Sequence, residues 1–147
     1  MTGTCQYQAN PVAATASYGT GCSGTGGVLT LTGDNLPWTT RTFHATCTGL
    51  ANGSIAFGAI GLSTSATPLS LLHPAGGAGC DLLATPHVTV LLLPVAGSAT
   101  ISIGMPADTV FAGAVLRAQM IDIELDALLN ITTITSSNGL AITNGAL

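Results

Sequence analysis

Four cysteines in a chain without a single lysine constrain this sequence more than anything else in it. Cys5, Cys22, Cys47 and Cys80 lie among Gly, Thr, Ser and Ala, and Arg41 and Arg117 are the only basic residues. Disulfides persist in oxidising compartments, so an even cysteine count on a charge-poor chain points to a secreted, extracellular or cell-surface framework. The four thiols admit three pairings, and spacing alone does not choose among them. No Cys-x-x-Cys occurs, which favours structural disulfides over a metal site. Without lysine the chain has neither a P-loop nor Lys–Asn isopeptide crosslinks, so covalent reinforcement falls to disulfides.

Charged residues make up 5% of the 147 residues, against about 25% in ordinary soluble domains. Nucleic-acid binding needs clustered Lys and Arg, and two isolated arginines exclude it. At 47% hydrophobic residues the chain approaches membrane-protein composition. Its longest apolar stretch, residues 82–95, is nevertheless broken by Thr85, Pro86, His87, Thr89 and Pro94. A spanning helix needs about 18 consecutive apolar residues, so no membrane insertion is expected. Low charge also weakens repulsion between copies and favours self-association. Met1 is followed by polar Thr2-Gly3-Thr4 with no basic or apolar leader, which suggests a mature form, an excised module or another export route.

Short runs of Val, Ile, Leu and Thr separated by Gly, Pro and Asn have strand spacing. Strands are predicted over residues 28–32, 42–48, 54–62, 87–93, 99–105, 115–124 and 131–143, the last interrupted at Asn138-Gly139. This pattern predicts an all-β fold, an antiparallel β-sandwich of about seven to nine short strands stapled by disulfide. Residues 18–147 form the sandwich domain, and residues 1–17 an N-terminal arm, linker or extra strand. The alternation Ala99-Thr100-Ile101-Ser102-Ile103 predicts one buried and one wet face. Residues 88–93, almost continuously apolar, read as a strand covered on both sides. Residues 62–78 read as a long connection with a short strand at 69–72, and Asp108 is placed to cap one helical turn reaching Ala112.

The segment Tyr18-Gly19-Thr20-Gly21-Cys22, together with Gly79-Cys80-Asp81-Leu82, resembles a secreted module found at the C-termini of large planctomycete-type bacterial extracellular proteins. Further points of similarity are Phe57-Gly58-Ala59-Ile60-Gly61-Leu62-Ser63, Pro106-Ala107-Asp108 leading to Gly113, Arg117-Ala118-Gln119 and Leu140-Ala141-Ile142-Thr143-Asn144. The resemblance spans residues 18–144 and implies an all-β extracellular module with no attached activity. It would pair Cys22 with Cys80, leaving Cys5 to bond Cys47 or another subunit. Cys47 departs from the pattern, which has a Thr-like residue there, and Cys5 precedes the module.

No constellation for catalysis or cofactor binding emerges. Gly19 to Gly24 matches G-x-G-x-x-G, but a strand follows where a dinucleotide site needs a helix. His44, His73 and His87 lack compact ligand spacing and read as turn and surface residues. Asp122, Glu124 and Asp126 alternate along one strand face, a weak calcium candidate whose simpler reading is a solvated face. Trp38 reads as a packing residue at a turn rather than a sugar contact. Asn52-Gly53-Ser54 and Asn130-Ile131-Thr132 fit the N-glycosylation pattern. The expectation is a non-enzymatic extracellular structural protein, a homo-oligomer or filament assembled through sheet edges and the N-terminal arm. The alternative is a binding or adhesion module for carbohydrate.

Overall fold

The computed structural model describes residues 11–146 of the chain. The fold is all-β and antiparallel. Its strands are β1 (Ala14–Tyr18), β2 (Ser23–Gly24), β3 (Gly27–Val28), β4 (Thr30–Gly33), β5 (Thr42–Thr48), β6 (Ile55–Gly61), β7 (Thr64–Pro68), β8 (Asp81–Ala84), β9 (Val88–Leu92), β10 (Ala99–Gly104), β11 (Val115–Leu125), β12 (Ile131–Ser136) and β13 (Gly139–Thr143). One helical turn, α1 (Leu69–Leu72), follows β7. A single 3₁₀ turn, Thr109–Phe111, precedes β11. The count exceeds seven to nine because β1 and the short β2–β3 and β7–β8 ribbons add to the strands read from the sequence.

A six-stranded sheet runs β1-β13-β11-β6-β9, with β12 joined to the second half of β11, and a three-stranded sheet runs β10-β5-β4. The period-two rule is clearest in β5, where Phe43, Ala45 and Cys47 are buried and Thr42 and Thr48 are exposed. These residues, with Leu29, Leu31 and Ile101, pack against Ala56, Ala118, Met120, Leu140 and Ile142 of the larger sheet to form the main core. Gly58 admits the close approach of the smaller sheet, because a Cβ there would stand 2.9 Å from Ile101 Cδ1. Ala99 and Ile101 are buried while Thr100 and Ser102 are exposed, as the alternation predicts.

A second, smaller core lies on the opposite face of the six-stranded sheet. Leu69, Cys80 and Ile134 are buried there, with Leu82, Ile121, Ile123 and Cys22 packed against them. Residues 69–72 are a helical turn, not a strand. The Leu69 amide donates to the Cys80 carbonyl at 2.8 Å, and His73 N closes the turn on Leu69 O at 3.0 Å.

Ala14–Tyr18, which overlaps the segment read as an arm, linker or extra strand, pairs with β13 along its whole length and is an edge strand of the large sheet. Another edge of that sheet differs from its sequence reading. The apolar strand read as doubly covered is an edge as well: among the described residues β9 pairs only with β6. Val88 and Leu91 are 57% and 60% exposed. Continuous apolarity signals burial only when something covers both faces, and nothing in residues 88–93 says whether it does.

Candidate functional site

Two of the three acids in the row, Asp122 and Glu124, do not face water. Along β11 the residues alternate Ala118, Met120, Asp122 and Glu124 toward the main core and Gln119, Ile121 and Ile123 toward the small one. Asp122 is fully buried and Glu124 is 7% exposed. The solvated-face reading is therefore overturned. The isoleucines find cover beneath α1 and β8, which leaves the carboxylates to the side lined by the β2–β3 ribbon and the residue 49–54 loop.

Both carboxylates are held by those loops. Glu124 accepts from the Thr25 hydroxyl at 2.5 Å and from the Thr25 amide at 3.3 Å. Asp122 Oδ2 accepts from the Ala51 amide at 3.0 Å, while Oδ1 has no partner among the described residues. Burial pushes the Asp122 carboxyl above its ordinary value, and the nearby Glu124 charge adds to this. The Ala51 amide pulls the other way. In this geometry Ser54 donates its one hydroxyl hydrogen to Ala51 O at 2.9 Å.

Asp126 stands apart from the pair. It lies beyond the strand end and is exposed. Its carboxylate accepts from the amides of Asn130 and Leu128 at 2.9 and 2.8 Å, which holds its pKa below the ordinary value. The row is thus two buried carboxylates with structural donors and one turn cap. Among the described residues no group of three His, Cys, Asp or Glu side chains comes together for a metal.

Cys22 and Cys80 form a disulfide across 58 residues. It joins the strand-poor lead-in, whose Cys22 amide donates to Ser136 O at 2.9 Å, to the residue preceding β8. Among the described residues Cys47 is a free, buried thiol. Its side chain is enclosed by the main core, and burial, reinforced by Asp122, pushes it up to about 12. Cys5 lies outside the described residues, as do the other residues of 1–10.

The histidines serve separate local roles. His44 Nδ1 lies 2.8 Å from Ser102 Oγ, while Nδ1 of His73 and of His87 accepts the Ala75 and Leu62 amides at 3.0 and 3.1 Å. Trp38 is half-buried in a turn bridged to Gly145. A polar hollow of about 460 Å³ beside it is lined by Asn35, Thr40, Arg41, Thr42 and His44. Its Asn35 amide already bonds Thr42 O and His44 N at 2.9 and 2.8 Å, and the His44 ring is engaged with Ser102. Arg41 is the one charged group it presents.

Sequence reasoning missed Gln119. It is fully buried on the small-core face, where Oε1 accepts the Leu83 amide at 2.8 Å and Nε2 donates to Asp81 O and Ser137 O at 2.9 and 2.7 Å. Nearby, Tyr18 donates to Leu83 O at 2.9 Å, and the Arg117 guanidinium lies 5.4 Å from the Tyr18 ring centroid. Burial raises the Tyr18 pKa against the opposing effect of Arg117. A lone polar residue in an alternating strand carries no mark of such partners.

No helix among the described residues is long and apolar enough to cross a membrane. Compared with protein-family models, with curated proteins and with solved structures, the chain matches none.

Proposed function

We propose that this chain is a non-enzymatic extracellular structural protein, a subunit that self-associates into a filament or surface assembly. The observation that carries this reading is the balance of its surface. Val88, Leu91, Leu93, Val95, Leu128 and Leu129 are all exposed. With Asp122 and Glu124 buried, the formal charges left are Asp34, Asp81, Asp108, Asp126 and the two arginines. Exposed aliphatic side chains on a surface with so little charge repulsion favour contact with like molecules. The resemblance to secreted modules and the disulfide support an oxidising environment.

The carbohydrate-binding alternative has weaker support. The hollow beside Trp38 has spent its amide and imidazole on internal hydrogen bonds.

Sedimentation velocity and negative-stain electron microscopy of the native protein, across a concentration series with and without reductant, test the proposal. Mass-action growth into dimers and longer regular species supports it. A single monomeric species at every concentration sinks it.

A further inference from the structure

Edge strands expose unpaired backbone amides and carbonyls, and stable proteins protect them with charges, prolines, bulges or a covering segment. Most edges here are protected or offer little to bind. The free side of β12 is covered by residues 75–77, where Ile134 N donates to Ala75 O at 2.9 Å and Gly77 N to Ile134 O at 2.8 Å. β1 presents Ala14, Thr15, Ala16 and Ser17, with no large apolar side chain before Tyr18.

Among the described residues β9 has no such protection. Its ladder with β6 runs without a bulge from Val88 to Leu92. Pro86 and Pro94 lie outside the paired stretch, and no Asp, Glu, Lys or Arg occurs anywhere in residues 82–107. Leu92 packs on the main core, so alternation turns Thr89, Leu91 and Leu93 to the outer face. All three are exposed, Leu93 at 72%.

We infer that β9 is the self-association edge, pairing antiparallel with β9 of a second copy about a twofold axis through Val90. This rests on the self-association reading above and names its contact. The argument for a second copy is complementarity. In that register Val88 faces Leu92 of the partner subunit, Thr89 faces Leu91 of the partner subunit, and Val90 meets its own counterpart. Every cross-strand pair is uncharged, and each has an aliphatic member. A twofold contact requires such a self-matching strand, and two charge-free edges meet without leaving a charge unpaired. The pairing would continue the six-stranded sheet across the axis.

The test compares three full-length proteins by sedimentation equilibrium under oxidising conditions, with circular dichroism confirming that each is folded. Leu91→Lys changes a side chain exposed on the outer face, so the fold tolerates it. It places a charge on the edge twice per dimer, and association weakens roughly tenfold or more. Thr89→Lys combined with Leu91→Glu sets opposite charges face to face twice in the proposed register and restores pairing relative to the single variant. If the wild type associates and Leu91→Lys associates equally well, the β9 contact is overturned while self-association stands. If Leu91→Lys disrupts association but the charge-paired double variant does not recover, the twofold register is overturned. A wild type that never associates overturns both this contact and the reading it rests on.

Discussion

Asp122 and Thr135 stand opposite one another on the β11–β12 ladder, both fully buried, and each keeps one side-chain oxygen without a hydrogen-bond partner among the described residues. An unsatisfied buried oxygen costs about 1–3 kcal/mol, more when it is charged. The Asp122 carboxyl has its pKa raised chiefly by burial, so the folded state holds its proton more tightly than the unfolded chain. Its contribution is therefore most favourable below the ordinary value of 3.8 and is lost as pH rises from there through the raised folded value. Asp122→Asn keeps an oxygen for the Ala51 amide and supplies a donor toward Thr135 and Ser54. It is expected to raise stability at neutral pH by roughly 1 kcal/mol and to flatten the decline above the carboxylate range. Urea unfolding across that range measures both; a variant less stable than wild type at neutral pH would contradict the account.

The Cys22–Cys80 bridge closes a loop with a sequence separation of 58. In the chain-entropy description such a crosslink contributes about 4 kcal/mol by restricting the unfolded chain. Replacing both cysteines by serine is expected to lower the unfolding free energy by about that amount. Hydrogen exchange should rise first at residues 20–24 and 75–84, which the bridge joins. A loss below about 1 kcal/mol would show that hydrogen bonds such as Cys22 N to Ser136 O hold the lead-in without it.

Cys47 is expected to be inert in the native state. A thiol enclosed by Leu31, Phe43 and Ala45 neighbours, with its pKa pushed up to about 12, offers almost no thiolate at neutral pH. Iodoacetamide followed by peptide mapping should modify Cys47 only after denaturation. Native labelling at a rate close to that of a free thiol would mean that the strands around it open readily.

How far these features were legible in the sequence follows from the range of the forces involved. β5 was read at its observed bounds because Phe43, Ala45 and Cys47 alternate with polar residues, a local pattern. The Asp108 cap was equally local: its carboxylate accepts from Val110 N at 3.0 Å, two residues away. Asp122 and Glu124 were misassigned to solvent because both faces of β11 are covered, and the cover over Ile121 and Ile123 comes from Leu69, Cys80 and Leu82. Likewise Thr25 grips Glu124 across 99 positions of chain. The alternation told which residues share a face. Which face is dry depended on segments far away in sequence, and so did the open edge at β9.

Asn52 is expected to deamidate selectively. Three Asn-Gly pairs occur, at Asn52-Gly53, Asn138-Gly139 and Asn144-Gly145. The glycine nitrogen attacks the side-chain carbonyl carbon, ammonia leaves, and water opens the resulting succinimide to Asp or isoAsp. Asn138 is locked by bonds from its Nδ2 to Ser17 Oγ and Leu31 O at 2.8 and 3.0 Å, and Gly145 N is engaged with Pro37 O at 3.0 Å. Asn52 lies in an exposed turn with Gly53 at φ +71°. Ageing at mildly alkaline pH followed by peptide mapping should find the product at Asn52 well before the other two. Equal rates at all three would mean that the buried amides are not held as described.

Gln119 joins β8 to the centre of the large sheet, and the cost of losing it is set by the groups it would strand. Gln119→Leu fills similar space but leaves the Leu83 amide and the Ser137 carbonyl without their partner, while the Asp81 carbonyl keeps the Ser136 hydroxyl at 3.0 Å. At about 1 kcal/mol or more for each of the two buried orphans, the loss is expected to reach roughly 2 kcal/mol. The Leu83 carbonyl also receives the Tyr18 hydroxyl, so the effect should spread to the β1 edge. Urea unfolding gives the magnitude, and amide exchange at Leu83 gives its location. A variant with unchanged stability and a still-protected Leu83 amide would show that packing of Leu82 against Ile121 and Ile123 holds β8 in place on its own.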